Sequence, residues 1–298
     1  MFTGVHTAII TPFDGDRIDF DALTALVEHQ IAGGIHGIVP CGTTGEASTL
    51  TDEERIAVTA ATVKAARGRC RVLAGVGTND TRRATAMARA AAEVGADGGL
   101  VITPYYNKPT QEGLYQHFRT VTEAVSGWPL VLYNVPSRTA LSLTVDTLDR
   151  LADLPDIVAV KEATGDMTFD GEIVRRCQGR LAVLSGDDAT ALPLWAVGGT
   201  GVISVTSNLL PARMVALWET FAQGDLDAAR AEHLSLLPLF LGLFIETNPT
   251  PIKTLVAWAT GLCSSTVRLP LTPLLPGTVV TLKSLCADLG VLLPFSPL

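Results

Sequence analysis

Lys161 ends the run Ile157-Val158-Ala159-Val160, an apolar, largely β-branched stretch of the type that forms a buried strand. An unpaired ammonium there is costly. The adjacent acid, Glu162, is one possible partner, but neighbouring strand residues point to opposite faces, so that pair is not the natural geometry. The other reading is an amine desolvated until a usable fraction is uncharged at neutral pH and adds to a carbonyl carbon. Lysine suits that work because its ionisation responds to burial, whereas arginine's does not.

Other residues acquire meaning around such an amine. Tyr133 lies two positions past Val131 in a second apolar run, so the two share a face. It is either a core aromatic with a satisfied hydroxyl or, beside an imine-forming lysine, a proton shuttle. Thr43 and Thr44 in GTTGE (42–46) either cap the next element or offer hydroxyls and amides to a carboxylate. The motif lacks the GK[ST] ending of a phosphate-binding loop, which argues against nucleotide binding. Arg138, two residues past Pro136, is either a solvated charge or a fork for a carboxylate. Asp187 and Asp188 could hold a metal, but Asp188 before Ala-Thr-Ala-Leu is better explained as a helix N-cap. The five histidines are scattered and no H-E-x-x-H occurs, so neither metal nor other cofactor is expected.

These residues need a scaffold that brings distant strand ends together. Short apolar runs at 5–10, 37–40, 72–76, 100–103, 130–134, 157–161, 182–185 and 202–205 alternate with amphipathic stretches of helical period. Asp19 and Thr144 are placed as N-caps, and Thr51 with Glu54 forms a capping box. Eight strands with eight crossover helices predict a (β/α)8 barrel, an α/β fold whose active site lies at the C-terminal strand ends. That end collects Thr43, Thr44, Tyr133, Arg138, Lys161 and Gly186. From Asp225 the strands cease, and 225–242, 248–261 and 277–290 read as three helices. The expected organisation is a catalytic barrel over 1–224 and a C-terminal helical domain over 225–298.

The formal charge of −8 argues against nucleic acid or an anionic membrane as partner. Five cysteines without a C-x-x-C spacing read as reduced thiols of a cytoplasmic protein. Mean hydropathy is +0.33, yet the most apolar run, 236–244, is nine residues long and contains Pro238, far short of a membrane span. The opening MFTGVHTAIITPF has neither the basic region nor the cleavage site of a secretory signal.

GTTGE (42–46), TPYYN (103–107), YNVPSR (133–138), VKEATGD (160–166), LSGDD (184–188) and GVISV (201–205) occur here in one order. Together with ETNPTPIK (246–253) and RLPLTP (268–273), they resemble the dihydrodipicolinate synthase family along the whole chain. The resemblance implies a lyase in which Lys161 forms an imine with pyruvate, whose enamine attacks aspartate semialdehyde on the route to diaminopimelate and lysine. It matches Thr43, Tyr133 and Tyr106 to a proton relay, with Tyr106 supplied by a neighbouring subunit. Thr43 and Thr44 match the holders of the pyruvate carboxylate, Arg138 the receiver of the aldehyde's carboxylate, and Gly186 and Ile203 backbone contributors near the lysine. It implies a tetramer built as a dimer of dimers. Asn79 and Tyr105 match a pocket through which many members sense lysine. Ala47, Asp52, Arg55 and Arg83 depart from the Ser, His, His and Glu of strongly sensitive members, so weak or absent lysine inhibition is expected. Sister aldolases, N-acetylneuraminate lyase or a 2-keto-3-deoxy sugar-acid aldolase, share the lysine, the tyrosine and the Thr-Gly-Glu loop; Arg138 within NVPSR favours the synthase. A catalytically silent barrel used for binding is the alternative of another kind.

Overall fold

The computed structural model describes residues 2–297. Eight parallel strands close into one barrel: β1 (Gly4–Ala8), β2 (Gly37–Val39), β3 (Arg71–Gly75), β4 (Gly98–Ile102), β5 (Leu130–Asn134), β6 (Ile157–Glu162), β7 (Ala182–Ser185) and β8 (Gly201–Ser204). Each pairs with its sequence neighbours, and β8 returns to β1 in the register Gly4↔Gly201 to Thr7↔Ser204. This is the (β/α)8 barrel that the strand count predicts.

The crossovers are α1 (Phe20–Ala32), α2 (Asp52–Ala66), α3 (Thr81–Glu93), α4 (Gln111–Ala124), the short α5 (Pro136–Thr139) with α6 (Val145–Leu151), α7 (Met167–Arg176), α8 (Asp188–Ala196) and α9 (Pro211–Ala222). Then come α10 (Leu226–Gly242), α11 (Thr250–Thr260) and α12 (Pro276–Asp288), the three helices expected after Asp225. A hairpin of two-residue strands, Phe13–Asp14 and Arg17–Ile18, precedes α1. Two residues per strand are too few for an alternation to register.

The helix starts follow their cap chemistry. Asp19 accepts from the Ala22 amide and Thr144 from that of Thr147. Thr51 and Glu54 satisfy each other's backbone amides. The expected cap at Asp188 is displaced by one residue. Asp187 is the N-cap of α8, accepting from the Ala189 amide. Asp188 turns inward and takes the amides of Val205 (3.1 Å) and Thr206 (2.8 Å), which leave the end of β8 without a ladder partner. Burial holds the Asp188 carboxyl above its usual range, although hydrogen bonds from Ser204 and Thr206 pull the other way.

Two apolar layers result. Strand residues of one parity, among them Val39, Leu73, Leu100, Val131, Ala159, Leu184 and Ile203, fill the barrel interior. Those of the other parity pack against the helices. Tyr133 belongs to the interior set, at its C-terminal end. Lys161, two residues past Ala159, has the same parity.

Candidate active site

Lys161 is 6% exposed, and among the described residues no carboxylate lies within 4.0 Å of its amine. In β6 it stands directly beside Tyr133 of β5, in the register Tyr133↔Lys161. Its Nζ lies over the Tyr133 ring, 4.3 Å from the centroid. Glu162 points the other way, as strand alternation requires. Its carboxylate accepts from Asn134 Nδ2 at 2.8 Å and from the Thr164 amide. The fold therefore withholds from Lys161 the acid next to it in sequence.

Gly186 explains how the lysine stem is held. A Cβ at that position would sit 2.7 Å from Ala163 Cβ, 3.0 Å from the Glu162 carbonyl and 3.1 Å from Lys161 Cε. The absent side chain is the space in which the Lys161 stem runs. The Gly186 amide donates to the Glu162 carbonyl at 2.6 Å, fixing that approach.

Two cavities open at this end of the barrel, and Tyr133 and Arg138 border both. One, of about 680 Å³, also has Gly186, Asn248 and Thr250 in its wall. The other, of about 230 Å³, runs along the ends of β2 to β4, past Thr43, Arg55 and Tyr105. Arg138 is exposed on the four-residue α5 and makes no ion pair among the described residues. Ile203 is fully buried in the interior cluster with Tyr133. Thr44 is buried and accepts from Asn248 Nδ2 at 2.9 Å.

Thus Thr43, Thr44, Tyr133, Arg138, Lys161, Gly186 and Ile203 gather at one end of the barrel. Two predicted residues do not join them within the single chain. Tyr106 is 90% exposed and borders neither cavity. Asn79 takes part through its carbonyl, which accepts from Asn107 Nδ2 at 2.9 Å. Backbone strain concentrates here too: Cys41, Glu46, Tyr106, Lys108 and Ala140 have positive φ, and all follow β2, β4 or β5.

Sequence reasoning missed what holds the GTTGE loop. Glu46 and Lys253, both fully buried, form an ion pair at 2.6 Å. The Arg268 amide donates to the other Glu46 oxygen at 3.1 Å, and the Arg268 guanidinium grips Glu54 at 2.6 and 2.7 Å. The ETNPTPIK and RLPLTP segments thus work as a clamp on this loop. A lysine inside the apolar helix PIKTLVAWA was the available signal. Cys41 beside the loop donates to the Arg55 carbonyl at 3.4 Å, and burial pushes its thiol up to about 11. It is packing, not a nucleophile.

A second buried acid lies behind β6. Asp170 of α7 is 2% exposed, and its Oδ1 has no hydrogen-bond donor. Burial first, then the nearby Glu162 and Asp166 charges, push its carboxyl up to about 7. Unfolded, it would titrate near about 3.9. The stability it contributes is therefore whole below that value and lost as pH rises through about 7. Asp170→Asn is expected to raise the melting temperature more at pH 8 than at pH 5; equal shifts at both would show that the carboxyl carries no such penalty.

A buried lysine without a counter-ion, beside a tyrosine at the C-terminal ends of barrel strands, is the construction of a lysine-dependent (β/α)8-barrel aldolase. Residues 1–286 match the model of the dihydrodipicolinate synthetase family, and the chain belongs to that family. The 4-hydroxy-tetrahydrodipicolinate synthase of Nitratidesulfovibrio vulgaris is 50% identical over 98% of this chain and 100% of its own length. That of Leptospira biflexa is 46% identical over 93% of this chain and 94% of its own. The crystal structure of dihydrodipicolinate synthase from Aquifex aeolicus superposes with a TM-score of 0.96 at 45% identity, covering 99% of this chain and 100% of that one.

Proposed function

We infer that this chain is a lyase that condenses pyruvate with L-aspartate 4-semialdehyde, the 4-hydroxy-tetrahydrodipicolinate synthase step of diaminopimelate and lysine biosynthesis. The observation that carries the reading is Lys161, buried, with no carboxylate of the described residues within 4.0 Å, and lying against Tyr133. The neutral amine adds to the keto carbon of pyruvate, and loss of water gives the imine. A methyl proton leaves to form the enamine, whose carbon attacks the semialdehyde's aldehyde. The semialdehyde's own amine then adds to the imine carbon, closes the ring and expels Lys161.

Each step moves a proton, and Thr43 and Tyr133, which border the same cavity, are the groups assigned to carry them. Tyr106 completes the relay from a neighbouring copy of the chain; its 90% exposure in a left-handed backbone conformation supports that role. The working assembly then contains at least a dimer, and we propose a dimer of dimers. Thr43 and Thr44 hold the pyruvate carboxylate, Arg138 takes that of the semialdehyde, and the backbones of Gly186 and Ile203 shape the floor beside the amine. The barrel, 1–224, supplies these groups, while the helical part, 225–298, walls the larger cavity and clamps the GTTGE loop. No helix of the described residues is long and apolar enough to cross a membrane, and we place the enzyme in the cytoplasm.

Trapping with pyruvate and borohydride, followed by peptide mapping, tests the imine; the expected adduct sits on Lys161. Turnover is then compared between aspartate semialdehyde and 2-keto-3-deoxy sugar acids or N-acetylneuraminate. Faster turnover of a sugar acid would assign the chain to a sister aldolase, and absence of any adduct would leave a silent barrel.

Lysine is expected to inhibit weakly or not at all. Asp52 is gripped by Arg83 through three contacts of 2.8 to 3.0 Å, and among the described residues no acid lines the cavity that Tyr105 borders. Millimolar lysine should change the initial rate by less than about twofold; strong inhibition would show that its ammonium finds a partner elsewhere.

A further inference from the structure

The loop that carries Thr43 and Thr44 is tied down several times over. Thr11 Oγ1 donates to the Gly45 carbonyl at 2.7 Å, the Glu46 amide to the Thr43 carbonyl at 3.0 Å, and Glu46 meets Lys253 at 2.6 Å. These contacts fix the course of the backbone around Thr44 without touching its hydroxyl. A hydroxyl turns about its C–O bond, so a fixed backbone leaves open where its single proton points.

One further contact reaches the hydroxyl itself. Asn248 is 4% exposed, borders the larger cavity and lies two residues before α11. Its Nδ2 donates to Thr44 Oγ1 at 2.9 Å, the one hydrogen bond that this hydroxyl makes among the described residues. An oxygen that accepts there keeps its own proton for another acceptor. The opposite arrangement, with the amide oxygen toward Thr44, would draw that proton away and turn lone pairs toward an incoming anion. The amide is not placed for its own satisfaction either, because its Oδ1 is enclosed with no donor.

We propose that Asn248 is a positioning residue, whose amide holds the Thr44 hydroxyl as a donor to the carboxylate of pyruvate. The inference rests on the role given to Thr44 above and adds the residue that directs its proton. Such a charge-assisted bond serves the keto acid both before and after the imine forms. Its loss therefore weakens binding and leaves the saturated rate alone.

Borohydride trapping of the Lys161 adduct at graded pyruvate concentrations, alongside steady-state kinetics, tests this in full-length wild type, Thr44→Val, Asn248→Ala, Asn248→Asp and the double variant Thr44→Val/Asn248→Asp. Asn248→Asp keeps the shape of the side chain, but its carboxylate can only accept, so it turns the Thr44 proton away from the substrate. The pyruvate concentration for half-maximal trapping should rise about tenfold or more in Thr44→Val and in Asn248→Asp. In Asn248→Ala, whose Thr44 hydroxyl is free to rotate, it should rise about threefold. The value of kcat and the KM for the semialdehyde should stay within about twofold of wild type. Added to Thr44→Val, Asn248→Asp should cost less than about threefold, because the hydroxyl through which it acts is gone.

Unchanged half-saturation in Asn248→Asp would overturn the proposal. So would a fall in kcat with a rise in both KM values, the mark of a loop that has merely moved. A full tenfold loss on adding Asn248→Asp to Thr44→Val would assign the effect to charge alone and also remove it. Normal pyruvate binding by Thr44→Val would place the fault in the role of Thr44, and a wild type without adduct in that of Lys161. If Asn248→Asp does not fold, Asn248→Ala decides by the same comparison of pyruvate KM with kcat.

Discussion

Lys161→Ala should yield no borohydride-trapped pyruvate adduct and should turn over at least about 10³-fold more slowly than wild type. The size follows from what is removed. Without the amine no covalent intermediate forms, so the enamine is no longer made along an imine route, and the relay hydroxyls have no partner chemistry. Folding should survive. Among the described residues the side chain has no ion pair to break, and the β6 backbone that carries it is held between β5 and β7. Two measurements guard the interpretation. The melting temperature should not fall, since an unpaired buried amine has been taken out of the core. Peptide mapping of wild type should place the adduct on Lys161 and not on Lys253, the other buried lysine, whose amine is tied to Glu46 at 2.6 Å. An adduct that persists in Lys161→Ala would end the assignment.

Lys253→Met should destabilise the protein by about 3–5 kcal/mol, because Glu46 is then left buried without its cation. For a chain of this length that corresponds to an apparent melting temperature lower by on the order of 10 °C. Burial already presses the Lys253 amine below its usual pKa, and the Glu46 carboxylate is the main force opposing it. The two charges therefore stand or fall together. The double variant Lys253→Met/Glu46→Gln should recover much of the loss, since it buries no lone charge and Gln still accepts from the Arg268 amide, now seen at 3.1 Å from Glu46. Because the pair sets the loop that carries Thr43 and Thr44, the single variant should also form the pyruvate adduct more slowly. A melting temperature within about 2 °C of wild type would show that the pair is not what holds the loop.

The parts of this molecule legible in its sequence are those governed by local period and chemistry. Each of the eight barrel strands overlaps a predicted run, and 130–134 and 182–185 agree at both ends. Lys161 could be singled out because an ammonium after four apolar residues contradicts its surroundings, and strand alternation predicted that Glu162 would face away. What stayed hidden depends on encounters between distant segments. Nothing in the period of GTTGE announces that Glu46 will meet Lys253, or that Thr44 will meet Asn248. Asp188 looked like a cap because its neighbours are those of a helix start. Only the closed barrel shows that the amides of 205 and 206, left without a ladder partner, both donate to that carboxylate. Arg55 was noted in the sequence only as a departure from the pattern of lysine-sensitive members; that it is enclosed, with its nearby acid spent on Arg83, emerges from burial and ion pairing.

The span of the Glu46–Lys253 contact, 207 residues, bears on how the protein comes into being. A chain emerging from the ribosome can pair its strands in order, but the glutamate near its start waits for a cation made more than two hundred residues later. Until then the turn after the second strand has only its local hydrogen bonds, such as that of Thr11 Oγ1 to the Gly45 carbonyl at 2.7 Å, and its glutamate has no cation. The last brace on the loop that carries Thr43 and Thr44 is therefore added only when the helices beyond the barrel have been made.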